Sequence, residues 1–455
     1  MKIIIIILQA ILNLVRKRRD LIANRSKIPP EYRDDVVVWY SPKKQRLINY
    51  DVIESYAEDF TNWAYRNTRG TAKITNNTIV ITNVVETNNI VEDDNKPYSD
   101  LTICVTGVTE NKYLIVRQGR GKPETHIKKD GVYTFKDNNL YFGLGVSVIG
   151  ECNITITQLP TSILKDFSGN GLDAYMYGFQ GKLNSGVGIY AVDFTTYRKT
   201  SVVTDVSYNT VKVVPAASNY LFIRYATTEM PAYTVNVQNL GNNVLTYQYA
   251  TENGRREITL IEGINEIPES IKVDNPYQVG LRVNAGTGEI TITQIPYYPN
   301  SLCYSGKETL IAYDIPLLTD FTVIAKRKWL NTNKGTFVVY GSPLVKGING
   351  SAFGFELISA DKDKLIYSFN KSKILDNFYE KDISYMNSIN YNGIDITKGD
   401  ISNTKNTLAV GNYTDNKQFG FIGCHDDIII FKRSLTIDEI NDITEVIFNE
   451  TIIEE

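Results

Sequence analysis

The chain has 455 residues, 42% hydrophobic and 22% charged, with a formal net charge of −3; a chain of this length holds about two to four domains with real cores. Lys/Arg and Asp/Glu are interspersed without a basic stripe, so nucleic-acid binding is not expected. The four cysteines, Cys104, Cys152, Cys303 and Cys424, form no CxxC pair, which excludes a zinc ribbon and a dense disulfide framework; buried free thiols are the expectation, with Cys104 and Cys152 as neighbours in one module the alternative.

The N-terminus reads MKIIIIILQAILNLV, an apolar run followed by Arg16-Lys17-Arg18-Arg19. It is shorter than the roughly 20 residues that span a bilayer as a helix, so no membrane span is expected. A secretory signal would need a small-x-small cleavage site where the basic cluster stands. Leu8, Ile11, Leu12 and Val15 fall at three- and four-residue spacings, as a helical seam requires. Ile3 to Ile7 are too uniformly apolar for one stripe and need burial on several sides. Residues 1–33 are therefore read as a helical anchoring and oligomerisation segment, with Ile3, Ile7, Leu8, Ile11, Leu12 and Val15 as its contacts. A trimer is favoured, and a dimer fits the residues equally well.

After a Pro29-Pro30 break, Asp35 to Tyr40 reads as a strand. Further on, the chain spells NITITQLP at 153–160 and EITITQIP at 289–296. Both alternate Ile with Thr, the period of a strand with one buried face, and both stop at a proline. The echo extends upstream in constant order. Gly143-Leu144 matches Gly280-Leu281, Asp130-Gly131 matches Glu262-Gly263, and Thr102 to Val105 matches Thr234 to Val237. Two copies of one module, 66–160 and 201–296, are expected, each a small antiparallel β-sandwich of short strands and Gly/Asn/Asp turns.

Between the copies lies ILKDFSGNGLDAYMYGF, residues 163–179. Gly169 and Gly171 supply positive φ in a tight turn, and Asp166 and Ser168 are placed to bond local backbone. Near the C-terminus, Phe421 to Phe431 contains Gly423-Cys424-His425-Asp426-Asp427 before an apolar run. There, Ser434-Leu435-Thr436-Ile437-Asp438-Glu439-Ile440 makes a good helix start, a Thr cap followed by acids.

Together these stretches resemble the laminin-G-like, concanavalin-type jelly-roll family. The D-x-S-G-N-G turn, the G-x-x-D-D strand, the closing S-L-T-x-x-E-I helix and Val36-Val37-Val38-Trp39-Tyr40 as opening strand carry the resemblance. His425 and Ile429 depart from the family pattern. The fold class is accordingly mainly β: a jelly roll in three pieces (34–65, 161–200 and 297–455) interrupted by two homologous sandwiches. The family often holds calcium and glycans at loops on one edge, and Asp166 and Asp427 match the positions whose oxygens meet there. Two carboxylates fall short of the six to eight oxygens calcium takes; the alternative is that Asp166 caps its turn and Asp427 orients the last strand. No other cofactor is expected. Residues 34–450 as a whole are similar to fibre and surface proteins of crAss-like phages of Bacteroides-type bacteria. That resemblance implies a place on the virion, other capsid or virion proteins as partners, and adhesion to host glycans.

Catalysis finds little footing. Only His126 and His425 exist, so a three-His zinc site is excluded. No E-x-D-x-x-E strand supplies the paired acids of a jelly-roll glycanase; Glu380-Lys381-Asp382 lacks the third. Gly341 to Lys346 is not a P-loop, and Gly119-Arg120-Gly121-Lys122 reads as a solvated turn. His425 is expected at a surface or edge position, and Trp39, Trp63 and Trp329 in cores. The leading expectation is a non-enzymatic virion head fibre or capsid decoration protein. The alternatives are a polysaccharide-degrading enzyme and a secreted bacterial surface lectin.

Overall fold

The computed structural model describes residues 28–449 apart from 49–50, 64–69, 85–88, 94–99, 119–122, 137–141, 148–149, 182–184, 200–201, 216–218, 226–227, 275–277, 284–285, 331–334, 341–352, 358–363, 370, 376–381, 403–405 and 413–419. The apolar contacts Ile3, Ile7, Leu8, Ile11, Leu12 and Val15 lie outside the described residues, as do Gly119 to Lys122 and Gly341 to Lys346. The protein is mainly β, and among the described residues the strand pairs of the sheets below are antiparallel. It forms two compact units, one from the chain up to Gln45, Asp51 to Phe179 and again from Tyr304, the other from Arg46 to Tyr50 and Gln180 to Cys303.

In the first unit, residues far apart in sequence share two sheets. Strand Ile422–Phe431 is flanked by Val36–Tyr40 on one side and Thr322–Trp329 on the other. The sheet continues through Ile383–Asn387, Asn390–Tyr391 and Ile394–Asp395. A second, eight-stranded sheet runs Ile163–Leu164, Ala174–Tyr177, Thr309–Ala312, Leu408–Val410, Gly335–Tyr340, Phe353–Leu357, Lys364–Ser368, Lys371–Ile374. Val36–Tyr40 is buried at every residue rather than at alternate ones. Helix Ile437–Phe448 explains part of this, because its Ile440 and Ile443 pack with Val36, Trp39, Ile429 and Phe431. That helix starts on a complete capping box: the Thr436 hydroxyl accepts from the Glu439 amide, and Glu439 accepts from the Thr436 amide. Arg433 ties its first turn to the start of the domain, donating to Glu439 at 2.8 Å and to Asp35 at 2.6 Å.

The two repeated modules have one topology, strand for strand. In the first, one sheet runs Gly70–Ile74, Thr78–Val84, Gly150–Gln158, Leu101–Thr106, Gly131–Phe135. The second module repeats it as Val203–Val206, Thr210–Val213, Ile290–Ile295, Tyr233–Gln238, Gly263–Ile267. The opposing sheet is Asn89–Asp93, Phe142–Val146, Leu114–Gln118, Glu124–Ile127 in the first. In the second it is Asn219–Tyr225, Gln278–Val283, Leu245–Thr251, Gly254–Leu260, with Arg198–Lys199 added outside Asn219–Tyr225. Each module has its own buried core.

The likeness reaches upstream of residues 66 and 201. Asp59-Phe60-Thr61 and Asp193-Phe194-Thr195 each open a short 3-10 turn capped by the Asp side chain. Phe60 and Trp63 in one copy, and Phe194 and Tyr197 in the other, belong to the module cores. The repeated glutamine of TITQ explains why the motif recurs. Gln158 accepts from the Glu58 amide at 2.8 Å and donates to the Glu58 carbonyl at 2.8 Å. Gln294 does the same to Val192, at 3.2 and 2.6 Å. Each is a buried latch fastening the last strand of its module to the entering chain. The flanks meet as well: the Thr161 amide donates to the Ser55 carbonyl, and the Tyr297 amide to the Ile189 carbonyl, both at 2.8 Å. Adjacent ends are what an insertion into a host domain requires.

Truncating either latch strands a buried amide and carbonyl, each costing about 1–3 kcal/mol. Gln158→Ala and Gln294→Ala are each expected to destabilise their own module by about 2–4 kcal/mol. Urea unfolding followed by fluorescence checks this; losses below about 0.5 kcal/mol would show that the latches carry no weight.

Candidate functional site

Asp166 and Asp427 are brought together by Trp39. The Trp39 amide donates to Asp166 Oδ1 at 3.0 Å, and its indole Nε1 donates to Asp427 Oδ1 at 2.7 Å. Asp166 also accepts from the Ser168 amide at 2.8 Å, the Ser168 hydroxyl at 2.7 Å and the Leu172 amide at 3.2 Å. Asn170 completes the clasp, its Nδ2 donating to the carbonyls of Val36 and Val37 at 2.9 Å. Gly169 and Gly171 take φ of 90° and 76°, which lets the turn close. Lys44 lies 3.9 Å from the Trp39 ring centre. Burial pushes the Asp427 carboxyl above its ordinary range, against the hydrogen bonds from Trp39 and Ser41. Among the described residues no group of three or more His, Cys, Asp or Glu gathers as a metal site. A cation at Asp166 would compete with the donors that already bind its oxygens.

His425 departs from expectation: it is fully buried. It sits across from Arg327 in the sheet, and its Nε2 lies 2.9 Å from the Tyr304 hydroxyl. Tyr304 and Trp329 pack on Phe421 beside it. Desolvation lowers its pKa to about 3, so the ring is neutral at physiological pH. Trp39, Trp63 and Trp329 are buried, and all four cysteines are free thiols.

The arrangement best suited to a ligand lies on the modules, on the outer face of the sheet that Leu114–Gln118 and Leu245–Thr251 share in the two copies. Leu114, Val116, Leu144 and Val146 fill the first core, so alternation turns Tyr113, Ile115 and Arg117 outward. Arg117 pairs across the ladder with Glu124 on one side and Gly143 on the other. Its Nε donates to Glu124 at 2.7 Å, which holds that carboxyl below its usual range. His126 lies 3.3 Å from Glu124 and 4.9 Å, ring to ring, from Tyr113.

The second module repeats the pattern with different chemistry. Leu245, Tyr247, Val279, Leu281 and Val283 fill its core. Thr246 and Gln248 face away, with Gln248 between Glu257 and Gly280 and Thr246 between Thr259 and Arg282. Gln248 Nε2 donates to Glu257. Both modules thus set a planar donor side chain, Arg117 or Gln248, between a glutamate and a side-chain-free glycine. Planar hydrogen-bonding groups are of the kind that fix a ligand's orientation in a site. None of these residues was singled out from sequence except as part of the repeat. The signal was the match of Gly143-Leu144 to Gly280-Leu281, whose ladder partners become visible only in the sheet.

No protein-family model matches the chain, and no curated protein matches it. Solved structures give remote similarities. One is AerE from Microcystis aeruginosa, at 10% identity over 54% of this chain and 99% of that one, with a TM-score of 0.16. Another is Trypanosoma rangeli sialidase in complex with the inhibitor DANA, at 10% identity over 84% and 85%, with a TM-score of 0.25. Scores this low carry no argument about fold or activity.

Two outcomes follow for the jelly roll. The folded-state pKa of His425 lies below its ordinary 6.5, so the unfolded chain takes up the proton first. The contribution is intact above pH 6.5 and is lost as pH falls toward 3, at up to about 1.4 kcal/mol per pH unit. His425→Gln should flatten that part of a stability-against-pH curve, and an unchanged slope would refute the assignment. Asp427→Asn keeps an acceptor for Trp39 and removes a buried charge, so Tm at pH 7 should hold or rise; a fall of several degrees contradicts this account.

Proposed function

We propose that the protein is a non-enzymatic glycan-binding surface protein, displayed as a homo-oligomer on a phage virion. The observation that carries the glycan reading is the repeated outer-face arrangement, in which Arg117 with Glu124 and Gln248 with Glu257 each stand beside a glycine. A sandwich fold does not need a long polar pair at those outward positions, and both copies place one there. The place on a head fibre or capsid decoration rests on the resemblance of residues 34–450, and oligomerisation on the apolar run at residues 3–15. Partners under this reading are further copies of the chain, virion proteins and a host surface glycan.

Incubation of the full chain with host capsular polysaccharide tests it. Retention of the protein on immobilised polysaccharide without new reducing ends is expected. Turnover abolished by changing a specific pair of acids would replace this reading with a polysaccharide-degrading enzyme. Light scattering on the full chain and on a chain starting at Lys27 tests the oligomer: the first is expected to associate and the second to be monomeric.

A further inference from the structure

We infer that the second module carries the sugar site and recognises neutral sugar hydroxyls through Gln248 and Thr246; this rests on the glycan-binding reading above. Gln248 is 4% exposed and Thr246 8% exposed, two residues apart on one strand face. Gln248 spends its amide nitrogen on Glu257, which orients the group and leaves Oε1 as an acceptor without a partner. Thr246 Oγ1 is likewise buried and without a partner. Polar atoms buried in this way cost about 1–3 kcal/mol each, and folded proteins keep few of them. Two on one face, next to side-chain-free Gly280, form a place prepared for donors that the protein itself does not supply.

The first module shows that the scaffold does not require them. At the matching ladder positions Ile115 stands for Thr246 and Arg117 for Gln248. Arg117 meets Glu124 in a partly exposed ion pair, so that copy satisfies its own polar groups. The copies have the same strands and opposite hydrogen-bonding states.

The chemistry of the face selects the ligand class. Gln248 Oε1 accepts only, so its partner must donate. A hydroxyl donates, whereas a carboxylate or sulfate does not. A neighbouring pair of sugar hydroxyls supplies two such donors, one for Gln248 Oε1 and one for Thr246 Oγ1. The site is therefore assigned to a neutral sugar.

The test uses the full chain, with dextran, mannan and galactan as neutral probes and polygalacturonate and hyaluronan as anionic ones. Calorimetry should show binding to at least one neutral probe. Gln248→Leu and Thr246→Val should each weaken it about tenfold, equivalent to 1.4 kcal/mol, while Tm is unchanged or raised, since each removes an unsatisfied buried atom. Thr246→Val preserves shape and serves if the leucine variant folds poorly. Unchanged affinity in both variants overturns the site, as does a lowered Tm with intact binding. Binding confined to the anionic probes overturns the ligand class while leaving the glycan reading standing. No binding to any probe removes both.

Discussion

Trp39 is the point on which the jelly roll closes. Its amide is held by Asp166 and its indole nitrogen by Asp427, residues 127 and 388 positions away in sequence. Strand Val36–Tyr40 would otherwise be a short apolar segment separated in sequence from its partner Ile422–Phe431 by both modules. Loop-closure entropy rises only slowly with loop length, so a long insertion is tolerable if the closing contacts are specific. The turn Asp166 to Gly171 supplies that specificity with polar contacts that accept no other register, since Asn170 reads the carbonyls of both Val36 and Val37.

The same problem is solved once per module at the insertion boundary. Gln158 and Gln294 bond both backbone groups of one residue on the entering chain. A buried side-chain amide forming two such bonds fixes position and direction together. It thereby separates each module's core from the domain into which it is spliced. Because the latch sits inside the boundary, the surfaces of the modules are free to diverge without disturbing closure.

That divergence is visible on the outer faces. Charge in the first copy is paired internally, with Arg117 on Glu124 and Lys128 on Glu110. In the second, Gln248 replaces a cation with a group that both donates and accepts, and burial makes the leftover acceptor consequential. Low local dielectric raises the cost of an unpaired polar atom, so a change of one side chain alters the hydrogen-bonding state of the face.

Local chemistry made much of the architecture legible. Ile-Thr alternation marked the strands, the spacing of NITITQLP and EITITQIP marked the repeat, and Thr436 with Glu439 marked the helix start, because each depends on neighbours within a few residues. The DFSGNG turn was legible for the same reason. The burial of His425 was not: it depends on Tyr304 and Arg327, brought beside it only when distant strands align. The roles of Gln158 and Gln294 were equally hidden, since their partners lie about a hundred residues upstream. Nor could sequence place Gln248 with Glu257 and Gly280, because ladder register decides which residues face one another. The sequence by itself determined the elements and their repetition through short-range periodicity and turn chemistry. The tertiary structure alone decided which polar groups meet and which are left wanting a partner, because those depend on strand pairing and burial across the whole chain.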